Sequence, residues 1–232
     1  MSMNLPPKPP RHVVAVLAVL ALATAGAFAQ SPGRHPISGR QFAGVMGWQG
    51  APWLDREERD IEEAPDVALD ALDLLQGQTV ADIGAGSGYM TVRMAKRVGA
   101  AGRVYGVDIQ AQMIDLLRQR LATEKVTNVV PVLSTIDDPK LPASSIDLML
   151  LVDVYHEFSE PQKMLRGMRA ALKPAGRLVL LEYRKEDPTI PIREEHKMTT
   201  AGAKLEVEAE GFRLSKVDER LPRQHILIFT KS

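Results

Sequence analysis

The apolar side chains of this sequence switch repeatedly between two spacings. Continuous short runs, typical of strands covered on both faces, alternate with segments in which apolar residues recur every three or four positions, as in amphipathic helices. This alternation predicts an α/β domain with a mainly parallel sheet and helices on both faces. The predicted strands cover 79–83, 103–108, 128–133, 146–152, 177–183, 212–217 and 225–230. The predicted helices cover 65–77, the segment after Gly88, 113–121, 161–172 and 199–211.

The last two strand patterns are joined by a short connection, which favours an antiparallel addition at the end of the sheet. With 232 residues, of which 45% are hydrophobic and 25% charged, the chain is long enough for one well-filled domain. A net charge of zero predicts neither a nucleic-acid partner nor attraction to anionic membranes. The absence of cysteine excludes disulfides, thiolate catalysis and cysteine-ligated zinc. Nothing in the sequence indicates an oligomeric state.

Residues 1–29 have the pattern of a secretory signal peptide. Lys8 and Arg11 precede an uncharged run over 13–28, and Ala27, Phe28 and Ala29 form a small-x-small cleavage site. We therefore expect an exported protein, periplasmic or secreted, with no membrane contact beyond this segment. An uncleaved membrane anchor is the alternative, although the apolar run is short for a spanning helix.

Residues 30–64 form the N-terminal arm, which is rich in Gly, Pro, Ser and Arg near its start and shows no sustained period. Both tryptophans of the chain, Trp48 and Trp53, lie in it. Large flat side chains in such a segment bury well only against another surface. The arm is therefore expected either to fold back as a lid over a pocket or to anchor itself on the domain that covers 65–232.

A glycine-dense turn follows the first predicted strand. Gly84, Gly86 and Gly88 allow positive φ and close approach of a ligand, and the next helix offers unpaired N–H groups at its start. Dinucleotide-binding turns need G-x-G-x-x-G, and no register of this turn fits that spacing. Asp82 precedes the first glycine by two residues, and a carboxylate there suits a ligand with an ammonium group better than a pyrophosphate. A glycine-rich turn without any ligand is the alternative.

The acidic-x-G-x-G-x-G pattern resembles motif I of the class I methyltransferases that depend on S-adenosylmethionine (SAM). The resemblance extends from about residue 65 to the end and implies a Rossmann-like, seven-stranded sheet with an antiparallel last strand. Asp108 ends the second strand about twenty residues after the turn, where an open α/β sheet places a carboxylate beside its ligand. In the family this acid binds the ribose hydroxyls, and Asp137 or the adjacent Asp138 corresponds to the acid that reaches the adenine. The implied SAM-binding residues are Asp82, Gly84, Ala85, Gly86, Gly88, Asp108, Ile109 and Asp137.

The end of the fourth strand carries the candidate acceptor-side residues Asp153, Tyr155 and His156. We expect these side chains to face the methyl group, with His156 as general base; a structural histidine is the alternative. Glu182 and His196 belong to a polar loop of the kind that selects the acceptor in this fold, although such loops are often simply solvated. The five histidines show no metal-ligand spacing, and no metal is predicted.

The resemblance implies a SAM-dependent methyltransferase that acts on a small molecule and is similar to the ubiquinone/menaquinone and type 11 groups. A protein L-isoaspartate-like O-methyltransferase is one alternative. A non-catalytic exported SAM-binding module is another, because SAM is made in the cytoplasm whereas residues 1–29 indicate export.

Overall fold

A computed structural model describes residues 33–232; the predicted signal peptide lies outside the described residues. The strands are β1 (Thr79–Ile83), β2 (Arg103–Asp108), β3 (Val129–Leu133), β4 (Ile146–Val152), β5 (Leu172–Arg184), β6 (Lys197–Met198), β7 (Phe212–Asp218) and β8 (Gln224–Lys231). The α-helices are α1 (Ala51–Leu54), α2 (Arg59–Glu63), α3 (Pro65–Ala71), α4 (Tyr89–Val98), α5 (Ala111–Thr123), α6 (Pro161–Ala171) and α7 (Thr200–Glu208). Within the described part, no helix has the length and apolar character needed to cross a membrane.

All strands belong to one sheet, in the order β3-β2-β1-β4-β5-β8-β7, and β6 pairs with β5. The pairs among β1 to β6 are parallel, whereas β8 runs antiparallel to both β5 and β7. The predicted mainly parallel sheet with an antiparallel last strand is therefore confirmed. The two-residue strand β6 was not predicted, because a strand that short has no hydrophobic period.

Alternate side chains of the central strands pack on opposite faces of the sheet. In β4, Leu148 and Leu150 pack with α3 and α4, whereas Met149 and Leu151 pack with α6 and α7. All four residues are fully buried, as expected for a parallel strand covered on both sides. The prediction of helices on both faces is thus confirmed.

Several predicted element ends were wrong. Helix α3 ends at Ala71, because Asp73 has a φ of 48° that cannot continue a right-handed helix, although the apolar spacing runs on to residue 75. Strand β5 begins at Leu172, which pairs with Ile146, and the register shifts before Leu148 meets Arg177. The residues between Leu172 and Arg177, predicted to be a helix stop, lie in that irregular start of β5.

The described part of the N-terminal arm is fastened to the domain by a buried ion pair. Arg40 donates through Nε and Nη2 to the two carboxylate oxygens of Glu206 in α7, both at 3.0 Å, and the Glu206 side chain is fully buried. Arg40 also donates through Nη1 to the carbonyl of His156 at 2.9 Å, and the Ala43 N–H donates to the same carbonyl. The arm therefore contacts the turn that follows β4.

Candidate functional site

A cleft opens at the carboxyl edge of the sheet, where β1 and β4 lie side by side. The empty space inside it, counted together with the open solvent at its mouth, is about 820 Å³. The residues that line it include Gly84, Gly86, Asp108, Ile109, Asp153 and Glu157. Parallel α/β sheets bind ligands outside the carboxyl ends of their strands, and this cleft has that position.

The glycine turn forms one wall of the cleft. Gly84, Gly86 and Gly88 have φ values of 75°, 53° and 91°, all in the left-handed region. The N–H groups of Gly84 and Ala85 donate to the carbonyl of Val107, so Ala85 holds the turn to β2 and does not itself line the cleft. Gly88 precedes α4 and packs against Leu117, also outside the cleft.

We expect Gly84→Ala to destabilise the protein by roughly 2–4 kcal/mol, from left-handed strain plus crowding. A Cβ atom at this position would lie 2.5 Å from Cγ2 of Val154. Gly77→Ala is the matched control, because Gly77 has a similar φ of 85° but nothing within 4 Å of its Cβ position. Urea unfolding should show a clearly larger loss of unfolding free energy for Gly84→Ala than for Gly77→Ala. Equal losses in the two variants would contradict the tight packing of the turn on Val154.

The Asp108 carboxylate is oriented by the backbone. Oδ2 accepts from the N–H of Gly86 at 3.0 Å and Oδ1 from the N–H of Gln110 at 2.9 Å. Burial raises the pKa of Asp108, while backbone N–H groups oppose that change. Each carboxylate oxygen keeps a free lone pair after these bonds, so the group can accept from two neighbouring hydroxyls. Ile109 lines the cleft beside it, so both residues lie where the sequence predicted.

Asp82 lies behind the glycine turn and does not line the cleft. Its Oδ2 accepts from the hydroxyl of Thr91 in α4 at 2.5 Å, and the residue is 2% exposed. Burial raises the pKa of this carboxyl to about 6, although the Thr91 hydrogen bond opposes the change. Asp82 thus ties α4 to β1, and its predicted contact with an ammonium group stays a prediction.

The buried Asp82 should make stability depend on pH. A carboxyl whose pKa is 3.8 unfolded and about 6 folded binds its proton more tightly in the folded state, so stability falls as pH rises between those values. Asp82→Asn removes this dependence. We compare the unfolding free energy of the variant with that of wild type at each pH. This difference should shift in favour of the variant by up to roughly 3 kcal/mol when the pH is raised from 4 to 7.5. Urea unfolding at both pH values measures this, and a pH-independent difference would contradict it.

The loop after β3 contributes Ser134 and Ile136 to the cleft. Asp137 is exposed and accepts from the hydroxyl of Thr135 at 2.8 Å, so it does not line the cleft in this conformation. Asp138 accepts from the backbone N–H and the ammonium of Lys140, which lowers the pKa of Asp138. The choice between Asp137 and Asp138 as the adenine-binding acid therefore stays a prediction.

The N-terminal arm forms part of the cleft wall. Val45, Met46 and Leu54 line it, and the side-chain amide of Gln110 accepts from the N–H of Trp48 and donates to the carbonyl of Met46. The tryptophans themselves are 42% and 46% exposed, so the expectation that they bury against the domain was wrong. Smaller apolar side chains of the same arm cover the cleft instead.

Only some of the side chains after β4 face the cleft. Asp153, Val154 and Glu157 line it, whereas Tyr155 and His156 are at most 1% exposed and do not. Residues 155–157 form a 3-10 turn, in which side chains three apart project alike, so Val154 and Glu157 share one direction. This corrects the expectation that Tyr155 and His156 face the methyl group. The sequence analysis did not identify Glu157 as a cleft residue. Its position three residues after Val154 could have indicated that both side chains face the same way.

Asp153 presents a polar atom without a partner in the described structure. Its Oδ2 accepts from the side-chain amide of Gln224 at 2.6 Å, whereas its buried Oδ1 has no hydrogen bond. Burial raises the pKa of Asp153 well above its ordinary value, and the charges of Glu63 and Glu182 add to the effect. The backbone φ of 52° is rare for a residue other than glycine and orients the side chain at the end of β4.

His156 lies between Glu182 and His196. Its Nδ1 is 2.5 Å from Oε2 of Glu182, at the end of β5, and its Nε2 is 3.1 Å from Nδ1 of His196. Burial lowers the pKa of His196, and the neighbouring His156 contributes to this. Burial also raises the pKa of the nearby Glu157 to about 7. The structure thus joins Glu182 and His196 through His156.

The sheet order, the glycine turn after β1 and Asp108 after β2 together define the class I methyltransferase fold. Residues 74–218 match the family described as Methyltransferase domain, and the chain belongs to this family. A SAM-dependent methyltransferase from Aquifex aeolicus has a similar structure, with a TM-score of 0.76 and 25% identity, covering 80% of this chain and 98% of that one. These matches indicate SAM as the cofactor of the fold.

Other relatives are more distant or match over shorter stretches. The ubiquinone/menaquinone biosynthesis C-methyltransferase UbiE of Escherichia fergusonii is 32% identical over 118 residues, which are 50% of this chain and 47% of that protein. The chain thus spans about half the length of the curated relatives it matches. A TehB-like SAM-dependent methyltransferase from Corynebacterium glutamicum, at 16% identity and a TM-score of 0.60, covers 80% of this chain and 98% of its own and shares the fold.

Proposed function

We propose that the protein transfers a methyl group from SAM to a small-molecule acceptor. The observation that carries this proposal is the position of Asp108, whose carboxylate is held by the Gly86 and Gln110 N–H groups at the edge of the cleft. The remaining lone pairs fit the two neighbouring hydroxyls of a ribose. SAM supplies an activated methyl group on a sulfonium, so the protein needs mainly to orient an acceptor and exclude water.

Asp153 is the candidate residue for the ammonium end of SAM. Its unpaired Oδ1 belongs to a residue that lines the cleft next to Gly84, and an acceptor-only atom there fits an ammonium donor. The opposite charge would favour the ionised form of Asp153, against the burial that raises its pKa. This assigns to Asp153 the contact that the sequence suggested for Asp82.

The side chains on the proposed acceptor side of the cleft favour binding of an apolar small molecule. Met46, Val154, Phe158 and Met164 line it together with Glu157. The UbiE relatives are named as C-methyltransferases of quinone biosynthesis, and their similarity adds weight to an acceptor with an aromatic ring. The general-base role of His156 stays a prediction, since its Nε2 is directed at His196 and not into the cleft.

We propose, from residues 1–29, that the protein is exported. Cell fractionation followed by N-terminal sequencing of the mature protein tests this, and a chain that keeps its first 29 residues in the cytoplasm would contradict it. The composition supports no nucleic-acid partner.

Methyl transfer is tested by incubating the full chain with methyl-labelled SAM and a panel of phenols and hydroquinones. Mass spectrometry would follow the methylated product and S-adenosylhomocysteine. We expect turnover with at least one apolar acceptor, and strongly reduced turnover in Asp108→Ala at a SAM concentration near the Kd of wild type. SAM binding without turnover across the panel would favour the non-catalytic module instead.

A further inference from the structure

Two histidines and a carboxyl converge beside the cleft, and of the three residues only Glu157 lines it. One ligand atom from each of His156, Glu157 and His196 lies within 4.8 Å of the other two, and we call these three residues the histidine cluster. His156 and Glu157 belong to the 3-10 turn after β4, and His196 to the 3-10 turn before β6. Because β6 pairs with the end of β5, the sheet itself brings the two turns together.

One spacing in the histidine cluster, that between the two imidazole nitrogens, matches metal coordination. Zinc binds histidine nitrogen at about 2.0–2.1 Å, so neighbouring ligands of a tetrahedral site are about 3.3 Å apart. Nε2 of His156 and Nδ1 of His196 are 3.1 Å apart, with ring planes at 84°. A single proton shared between the two nitrogens would also give this distance. Glu157 accepts from the Met46 N–H through Oε1 at 3.2 Å, which leaves its second carboxylate oxygen for an ion.

Glu182 provides the outer support that metal-bound histidines usually have. Its Oε2 is 2.5 Å from Nδ1 of His156, and its Oε1 accepts from the N–H of Tyr155 at 2.9 Å. With Glu182 ionised and the proton on Nδ1 of His156, the Nε2 lone pair is free for an ion. A carboxylate, a histidine and a metal in line form a recurrent arrangement in metalloproteins.

We propose that the histidine cluster binds one divalent transition-metal ion of the zinc class. Two imidazoles and a carboxylate favour zinc, cobalt or nickel over magnesium or calcium, which prefer all-oxygen sites. Three protein ligands leave a fourth position for water or substrate, as in catalytic zinc sites. The sequence predicted no metal, because His156 and His196 are separated by 40 positions and match no local ligand motif.

The position of Glu157 indicates what the ion would do. Glu157 lines the cleft together with Asp108 and Gly84, so the open coordination position lies at the cleft edge. A hydroxyl of the acceptor bound there would lose its proton more readily, because the ion stabilises the oxyanion. This role rests on the proposed function, whereas ion binding itself does not.

The test is metal binding by the full chain without SAM or acceptor. Protein treated with EDTA and dialysed is titrated with Co²⁺, followed by visible absorption, and with Zn²⁺ against a chromophoric chelator. We expect one ion per chain and an intense absorption typical of four-coordinate cobalt. His196→Ala and Glu157→Gln should each weaken binding at least 10-fold, and Glu182→Gln by about 10–100-fold.

His225→Gln is the matched control. His225 also contacts carboxylates, Glu219 at 2.6 Å and Glu186 at 2.9 Å, but it does not belong to the histidine cluster. Its variant should bind the ion as wild type does, and circular dichroism should confirm that all variants fold. A folded wild type that binds no ion, or binding unchanged in His196→Ala, would overturn the proposal without bearing on SAM binding.

Discussion

Replacing Asp108 with alanine should weaken SAM binding by at least about 100-fold. The carboxylate can accept one hydrogen bond from each ribose hydroxyl, and hydrogen bonds to a charged group contribute about 1.5–3 kcal/mol each. A loss of about 3 kcal/mol corresponds to roughly two orders of magnitude in Kd. Equilibrium dialysis with labelled SAM measures the effect. The fold should be retained, because the backbone groups that Asp108 binds lie beside an open cleft that water can enter.

Asp115→Ala is the matched control for this experiment. Asp115 lies on α5 and its side chain is 63% exposed, in an ion pair with Arg118. This substitution should leave SAM affinity within about twofold of wild type. A folded Asp108→Ala that binds SAM like wild type would contradict the assignment of the ribose site.

Replacing Glu206 with glutamine should destabilise the protein by roughly 3–5 kcal/mol. The substitution leaves Arg40, whose side chain is 13% exposed, without its countercharge beside the domain. The amide nitrogen of glutamine also takes the place of one carboxylate oxygen, and a nitrogen that carries hydrogens cannot accept. The protein then loses either the hydrogen bond from the Ser38 hydroxyl, at 2.5 Å, or the one from Nη2 of Arg40. Because Arg40 holds the carbonyl of His156, the turn at 155–157 should become less ordered as well.

Urea unfolding and amide hydrogen exchange measure these two effects. Asp115→Asn, which breaks an exposed pair, should cost no more than about 1 kcal/mol. The double variant Arg40→Met/Glu206→Met should recover much of the lost stability, since an apolar pair leaves no buried charge. A loss for Glu206→Gln as small as that of the exposed control would contradict the buried ion pair.

Local patterns predicted the sheet, and the place of the glycine turn and Asp108 at its carboxyl edge, well. Strands β1, β2 and β4 were predicted with their observed limits, because continuous apolar runs bounded by turn residues have few other interpretations. Asp108 could be located because the carboxyl ends of parallel strands meet at one edge. Gly84 and Gly86 could be located from the same rule and because glycine adopts positive φ without strain, as both do in the structure.

The part of the cleft after β4 depends on features that sequence spacing does not contain. The 3-10 turn at 155–157 decides which side chains enter the cleft, and it directs Glu157 inward while it buries Tyr155. The contact between His156 and His196 arises from the two-residue strand β6, too short for any period. The arm residues that line the cleft could not be predicted from the sequence, because only tertiary packing distinguishes Met46 and Leu54 from the exposed Trp48.

The decisive measurement is titration calorimetry of the full chain with SAM. We expect one binding site per chain with a micromolar Kd, and competition by S-adenosylhomocysteine, which shares the ribose that Asp108 would hold. Circular dichroism on the same sample would establish that the protein is folded. A folded protein that takes up no SAM would contradict the assignment of the cleft, and with it the proposed methyl transfer.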